Sequence, residues 1–375
     1  MLKRMSKKPK RILLIRIRAI GDVLLCLPVA RALRETFPGA WLAWLVEEPA
    51  HELLQGIPHL DEVIVWNRPL WRREIPRTGR LRYLWRQWEF IRSIRQRRFD
   101  TCIDLQGKVS TGLLAWFAGI PRRIAFADAT LASRLFYNRL VNVPRASAYV
   151  PERYLGLSAP LGVNWSQAKT FLPLTEADRV AGSRLLATEP SAFDGPLSAL
   201  PLAVFCVATP RPHKLWQPEA FATVVQHVFR EFRMFPVFLG AGRDAPLIDQ
   251  VTSLCSCPFL SLAGKASLRQ SAAVLERAAL VVGIDTGLIH AAVALGRPTV
   301  AVFGPMGLDH EPRGPLQETV RADCQFHPCR WNRKGCPADS EYQCVRGVRP
   351  EQVLAAAKRV LLAAGNGTPT RSHPT

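Results

Sequence analysis

The sequence predicts an α/β protein made of two doubly wound, Rossmann-like parallel sheets, one in each half of the chain. Three observations lead there. Short apolar runs that suit buried strands alternate with longer segments of helical spacing from residue 12 to residue 303. The alternation halts once, at 175–201, where a short helix is followed by a stretch rich in Pro, Ser, Ala and Gly, and then resumes. Several apolar runs end in polar residues beside glycine, the place where open α/β sheets carry their ligands.

In order, Ile12–Ile15 reads as the first strand and Asp22–Phe37 as a helix, with Val23, Leu24, Leu27, Ala30 and Leu33 near helical spacing. Pro38-Gly39 closes that helix. Ala40–Val46 and Val63–Trp66 are strands, Leu81–Arg98 a helix, Thr101–Leu105 a strand and Ser110–Phe117 a helix. The second half repeats the pattern. Its strands are Leu202–Val207, Val237–Gly240, Leu280–Ile284 and Thr299–Phe303. Its helices are Pro218–Phe232, Ala245–Leu254, a segment from Ser267, and Leu288–Leu295. The expected division is a first domain over 1–180, a linker over 181–200, a second domain over 201–348, a terminal helix over 349–364 and a disordered tail over 365–375. Two such domains are expected to face each other, with the site in the cleft between them.

Composition bounds the partners. The chain has 375 residues, 48% hydrophobic and 21% charged, with a formal net charge of +20. Such a field favours polyanions or anionic surfaces. The basic start is followed by an apolar run that Arg16, Arg18 and Asp22 interrupt, which does not suit a secretory signal. The segment Ala278–Gly296 is long and apolar, but Asp285 and His290 inside it favour a buried core segment over a membrane span. Nine cysteines, an odd number scattered along the chain, suit reduced thiols in a cytosol.

Six constellations carry chemistry. In Leu280–Gly296 a buried strand ends at Asp285, Thr286 can cap the following helix, Gly287 permits a tight turn, and His290 falls on the first helical turn. Free N–H groups at that helix start would hold a phosphate. In Ala208–Trp216, Lys214 follows a strand and can reach a phosphate as a point charge, although a solvated surface lysine would read the same way. In Gly240-Ala-Gly-Arg-Asp244, Asp244 can accept from ribose hydroxyls, but the glycines fall short of a dinucleotide fingerprint. No P-loop and no Asp-x-Asp occur. In Asp104-Leu-Gln-Gly-Lys108 a carboxylate, an amide and an amine suit a polyhydroxyl or phosphorylated ligand, and turn chemistry explains them equally well. The segment 68–98 holds eleven arginines against two glutamates, net +9, interleaved with Trp71, Trp85 and Trp88. An anionic membrane surface suits that mixture, and so would nucleic acid. Cys324, Cys329, Cys336 and Cys344, with His327 among them, lack the Cys-x2-Cys pairs of common zinc sites. Free thiols are expected there rather than a metal.

Between the first strand and helix stands Arg18-Ala-Ile-Gly-Asp22, with one glycine and a carboxylate where a phosphate loop is usual. Together with Leu27-Pro28, Asp104-x-Gln-Gly107, Leu135-Phe-Tyr-Asn-Arg139, Thr209…Lys214-x-Trp216 and Asp285-Thr-Gly-x-x-His290, in that order, it resembles glycosyltransferase family 9, the bacterial lipopolysaccharide heptosyltransferases. The resemblance runs from about Arg11 to Val360. It implies a GT-B fold and an inverting, metal-independent transfer from ADP-heptose to a lipid A-linked inner core, at the cytoplasmic face of the inner membrane. No cofactor is implied, and a monomer that binds no nucleic acid is expected. By motif match Asp22 is the general base. Thr209 and Lys214 contact the donor phosphates, Lys214 also stabilising the departing charge. Asp244 reaches the ribose, Lys265 lies near the adenine, and Asp285, Thr286, Gly287 and His290 form the donor turn. Arg18, Asp104, Gln106 and Lys108 are expected on the acceptor side. Pro210, where some members carry a second Thr, is a departure. Rival readings are the same family with another donor or acceptor, a nucleotide-sugar epimerase of similar architecture, and a basic nucleic-acid binder.

Overall fold

The computed structural model describes residues 8–48, 50–75, 79–144, 149–165, 168–187, 200–304, 308–326, 336 and 342–366. The chain divides into two compact units, Met1–Phe171 and Leu172–Thr375. Each carries one six-stranded parallel sheet. The first contains β1 (Arg11–Ile15), β2 (Trp41–Val46), β3 (Glu62–Val65), β4 (Thr101–Asp104), β5 (Arg122–Phe126) and β6 (Arg139–Val141). The second contains β7 (Leu202–Cys206), β8 (Phe235–Phe238), β9 (Leu260–Ser261), β10 (Ala278–Ile284), β11 (Thr299–Val302) and β12 (Gln317–Val320).

The strand orders are β3-β2-β1-β4-β5-β6 and β12-β11-β10-β7-β8-β9. Both are the doubly wound 3-2-1-4-5-6 order, in which the chain reverses its direction of progress between the first and fourth strands of the sheet. The switch points therefore lie between β1 and β4 and between β7 and β10, which pair in parallel register through Ile15↔Asp104 and Gly283↔Cys206.

The central strands are apolar on both faces because both faces are covered. Leu13 and Ile15 of β1 pack with Ile94 and Leu114, while the alternate residues Ile12 and Leu14 are equally buried. In the second unit Ala203 and Phe205 pack with Phe221, Val224 and Val228. The terminal helix Pro350–Asn366 lays Val353, Ala356, Ala357 and Val360 into the same core. The helix Ile20–Thr36 stops where Phe37 precedes Pro38, since a residue before proline is pushed out of the helical region.

The central strands and long helices fall where the sequence places them, and the peripheral ones add to it. β5, β6, β9 and β12 carry no strand signal in the sequence. β6 and β9 have three and two residues, β12 is mostly half-buried, and β5 opens on Arg122-Arg123. β6, β9 and β12 are edge strands, which need no double-sided apolar run, and β5 is the neighbour of an edge. The segment Ala278–Gly296 is a central strand plus the helix Gly287–Ala294. Among the described residues no helix is long and apolar enough to cross a membrane.

The domain boundary falls earlier than 180. Helix Glu176–Leu186 belongs to the second unit, and the first part of the expected linker, 181–186, is its last turn and a half. Gly182 sets that helix close against the helix Leu268–Glu276, since an added Cβ would lie 2.6 Å from the Ala273 Cβ. Asp178 accepts from Arg269 Nε at 2.8 Å and from its Nη2 at 2.5 Å, and Arg269 is buried. The rest of the linker, 188–199, and the tail from 367 lie outside the described residues; 365 and 366 still belong to the terminal helix.

Hydrogen bonds from Arg269 hold the Asp178 carboxyl well below the usual carboxylate range. A depressed folded-state pKa gives stability that is present above the unfolded value of about 4 and is lost as pH falls further. Asp178→Asn is therefore expected to lower the thermal unfolding midpoint at pH 7. The gap to the wild type should shrink on acidification below about pH 4.

Candidate active site

At the first switch point, β1 delivers Arg16 and then Asp22, which sits in the first turn of helix Ile20–Thr36 where the helix dipole favours a carboxylate. A cis peptide joins Arg18 and Ala19 just before it. Arg16 is buried and ion-paired through Nη2 with Asp22 Oδ2. Its Nη1 donates to the Leu105 carbonyl at 2.8 Å, and its guanidinium lies 5.3 Å from the Tyr154 ring centroid. The Asp22 side chain is 25% exposed. Asp22 is thus gripped on one oxygen by a buried cation and still reachable from solvent.

β4 delivers the other side of the switch point. Ile17 donates its N–H to Gln106 Oε1 at 3.3 Å, so the Gln106 amide joins the two loops. Lys108 is exposed and starts the helix Val109–Phe117. Asp104 is a correction. It is fully buried, accepts from the Gln106 and Gly107 amides at 2.8 Å each through Oδ1, and accepts from the Tyr137 hydroxyl at 2.5 Å through Oδ2. Burial pushes its carboxyl up, against the pull of those hydrogen bonds. Asp104 cannot touch an acceptor; it shapes the turn at Gly107, whose φ is +63°. Arg18 is exposed, with Nε 3.3 Å from Glu47 Oε2.

In the second unit the expected donor residues gather at the carboxyl ends of four adjacent strands, β9, β8, β7 and β10. Lys214 closes the one-turn segment Pro212–Lys214 after β7, and Asp285 follows β10. Their side chains form a buried ion pair, Lys214 Nζ to Asp285 Oδ2. The sequence treats them as separate donor contacts; the structure makes them one unit across the switch point. Trp216 anchors this loop by donating Nε1–H to the Val348 carbonyl at 2.9 Å. His213 is buried beside Lys214, and burial together with the cations Lys214 and Arg211 lowers its pKa.

Thr286 is the N-cap of helix Gly287–Ala294, with extended backbone. The first N–H groups of such a helix have no intrahelical partner. They open beside the ion pair, with His290 buried in the first turn and Thr209 half-buried on the β7 loop. Asp244 accepts from the Ala241 amide at 2.8 Å through Oδ2, and Arg243 Nε lies 3.8 Å from its Oδ1. Lys265 is exposed on the loop after β9. Gly264, at φ +70°, brings that loop against the β8 loop, where an added Cβ would lie 2.7 Å from the Gly242 Cα.

The basic stretch needs a second correction. Arg68 is buried, donates to Glu47 Oε1 from Nε at 2.8 Å and Nη2 at 2.6 Å, and lies 3.9 Å over the Trp66 ring. Trp71 packs edge-on to Phe90. These residues build the first unit and offer nothing to a membrane. Arg77 lies outside the described residues. So do Cys329 and His327, while Cys344 is buried on the short helix Gln343–Arg346.

Comparison with known proteins bears on this geometry. The profile of glycosyltransferase family 9 (heptosyltransferase) matches residues 87–339. The chain belongs to glycosyltransferase family 9. It is 29% identical to lipopolysaccharide heptosyltransferase 1 of Pseudomonas aeruginosa, over 94% of this chain and 98% of that protein. The crystal structure of a family 9 glycosyltransferase from Veillonella parvula superposes with a TM-score of 0.80 at 23% identity, covering 94% and 97% of the two chains. The E. coli heptosyltransferase WaaC, solved with ADP-2-deoxy-2-fluoro heptose, superposes at 0.62 with 25% identity, over 84% and 93%. Two Rossmann-like units in a glycosyltransferase make the GT-B fold expected from the sequence.

Sequence reasoning passed over Arg16 and Tyr137. Arg16 carried a signal, a charge at the end of an apolar strand one turn before Gly21-Asp22. Tyr137 sits in the Leu135–Arg139 motif, but nothing in the sequence pairs it with Asp104.

Lys214→Ala would leave Asp285 buried without its cation, at a cost of about 3–5 kcal/mol in unfolding stability. Adding Asp285→Asn should restore most of that stability in denaturant titrations. ADP affinity by calorimetry should stay weak in both variants. Normal ADP binding by the double variant would separate the ion pair from the anion site.

Proposed function

We propose that this family 9 glycosyltransferase moves a heptose from ADP-heptose to the lipid A-linked inner core of lipopolysaccharide, by an inverting mechanism without metal. The observation that carries this reading is the buried Lys214–Asp285 pair set beside the open helix start at Thr286-Gly287. That is a preorganised site for a departing diphosphate, in which a lysine held by a carboxylate and the positive end of a helix dipole stand together without a glycine-rich loop. The heptosyltransferase named above that holds an ADP-heptose analogue supports the donor, and the lipopolysaccharide relatives support the acceptor.

In this reading the acceptor hydroxyl oxygen attacks the anomeric carbon while its proton passes to Asp22. Arg16 holds Oδ2 of that carboxylate, which leaves Oδ1 for the proton. The bond from the anomeric carbon to the donor phosphate oxygen breaks, and ADP leaves with the electron pair. A single displacement inverts the configuration. Lys214 and the N–H groups at 286–287 meet the charge that develops on ADP. Thr209 adds to the phosphate contacts, Asp244 and Lys265 serve the nucleoside, and Gln106 and Lys108 serve the acceptor. The protein works as a monomer at the cytoplasmic face of the inner membrane, held peripherally through its basic stretch.

Asp22→Asn should keep ADP binding and lose about 10²–10⁴-fold in transfer rate. Near-normal turnover would remove Asp22 from the base role. The donor is tested by incubating truncated lipopolysaccharide with ADP-heptose, UDP-glucose or GDP-mannose and weighing the product. A gain of one heptose with ADP-heptose alone is expected; a hexose gain would overturn the donor assignment.

A further inference from the structure

The helix Arg80–Gln96 carries two apolar faces, and the fold uses one. Phe90, Ile91 and Ile94 pack into the first unit's core. On a different face Leu81, Leu84, Trp85 and Trp88 are 84%, 61%, 60% and 52% exposed. They follow i, i+3, i+4, i+7 and so form one continuous stripe. Four and seven residues after Trp88, the same line continues as Arg92 and Arg95, both exposed. Arg82 is exposed beside the stripe, and Glu89 is the helix's single acid.

The stripe also has a place. Arg97, just past the helix, donates to Glu62 at the start of β3 at 2.8 Å. Trp66, just past the end of β3, donates to Gln87 at 3.2 Å and stacks on Phe90 at 5.6 Å. The helix therefore runs antiparallel to β3. Its seven residues before Gln87 extend about 10 Å beyond the carboxyl end of that strand. This is the end of the sheet from which Asp22 and the Gln106–Lys108 turn also emerge.

We propose that the first half of this helix inserts Leu81, Leu84, Trp85 and Trp88 into the headgroup–acyl boundary of an anionic bilayer, with Arg92 and Arg95 at the phosphates. Insertion to about 5–10 Å is typical of amphipathic helices that lie at an interface. The arginines continue the stripe one to two turns after the last Trp, where they can meet lipid phosphates at the rim of the inserted face. Trp favours this level of a membrane. A second copy of the chain fits the surface less well, because it would set rows of arginines against each other. The proposal deepens the peripheral-membrane part of the reading above and replaces the whole basic stretch by one helix face. It also seats the acceptor edge of the first unit on the surface that holds a lipid-linked acceptor.

The test uses the full chain and vesicles that contain no acceptor. The wild type should float with phosphatidylethanolamine/phosphatidylglycerol vesicles and bind phosphatidylcholine vesicles weakly. Burial of one such side chain supports about a tenfold change in affinity. Leu84→Ser/Trp85→Ser/Trp88→Ser, all at exposed positions, should therefore lose at least about a hundredfold in vesicle affinity. Arg92→Gln/Arg95→Gln should weaken binding to the anionic vesicles alone and flatten its salt dependence. With a deacylated, water-soluble acceptor the triple Ser variant should turn over like the wild type. Unchanged vesicle binding by that variant would overturn the proposal. So would loss of turnover on the soluble acceptor, or a wild-type dimer that the variant dissolves. Vesicle binding that depends on the stripe, in a protein that transfers no heptose, would sustain the helix proposal while the donor reading failed.

Discussion

Everything functional in this chain hangs on the reversal of strand order in a parallel sheet. Where the order runs outward in both directions from one pair of strands, the two following loops diverge and a helix start is left uncovered between them. β1/β4 and β7/β10 are such pairs, and the candidate residues group around them. The two switch points share an architecture, a cation–carboxylate pair beside a helix start, and differ in which partner can be reached. At the first, Arg16 is buried and the Asp22 carboxylate is 25% exposed. At the second, Lys214 and Asp285 are both buried and the helix start at Thr286-Gly287 is the open element. On the proposed reading a single glycine suffices at Gly21, because no phosphate approaches the backbone there.

Buried ion pairs recur as the device that positions these groups. Arg16–Asp22, Lys214–Asp285 and Arg68–Glu47 each remove a charge from water, and the desolvation cost offsets most of the Coulomb attraction. Their effect is better understood as placement than as net stability. Arg16 touches Asp22 and the Leu105 carbonyl at once, so the carboxylate is fixed relative to β4 as well as β1. Lys214 and Asp285 do the same between β7 and β10.

Much of this was legible in the sequence. A central strand such as Ile12–Ile15 must be apolar on both faces, so it announces itself; an edge strand such as Gln317–Val320 has one half-wet face and does not. The polar residues after the strands pointed to the right loops, because that is where a doubly wound sheet exposes side chains. What the sequence could not show was which way each side chain turns. Asp104 and Asp22 both follow a central strand of one sheet, yet one is sealed by Tyr137 and two amides and the other reaches solvent. Arg68 counted among eleven arginines, and only the fold shows it stacked on Trp66 and paired with Glu47. Conversely, Trp85 and Trp88 already suited an anionic surface in the sequence, and the fold adds that they share an exposed face with Leu81 and Leu84 while the helix buries another.

The central claim is a division of labour, with nucleotide bound by the second unit's switch point and the first unit's left for proton transfer. Hydrogen–deuterium exchange of the full chain with and without ADP addresses it most directly. The account predicts new protection in peptides covering 207–216, 240–246, 262–268 and 285–291, and unchanged exchange at 16–24 and 104–110. Protection by ADP centred on 16–24 would place the phosphates on the first unit and contradict it.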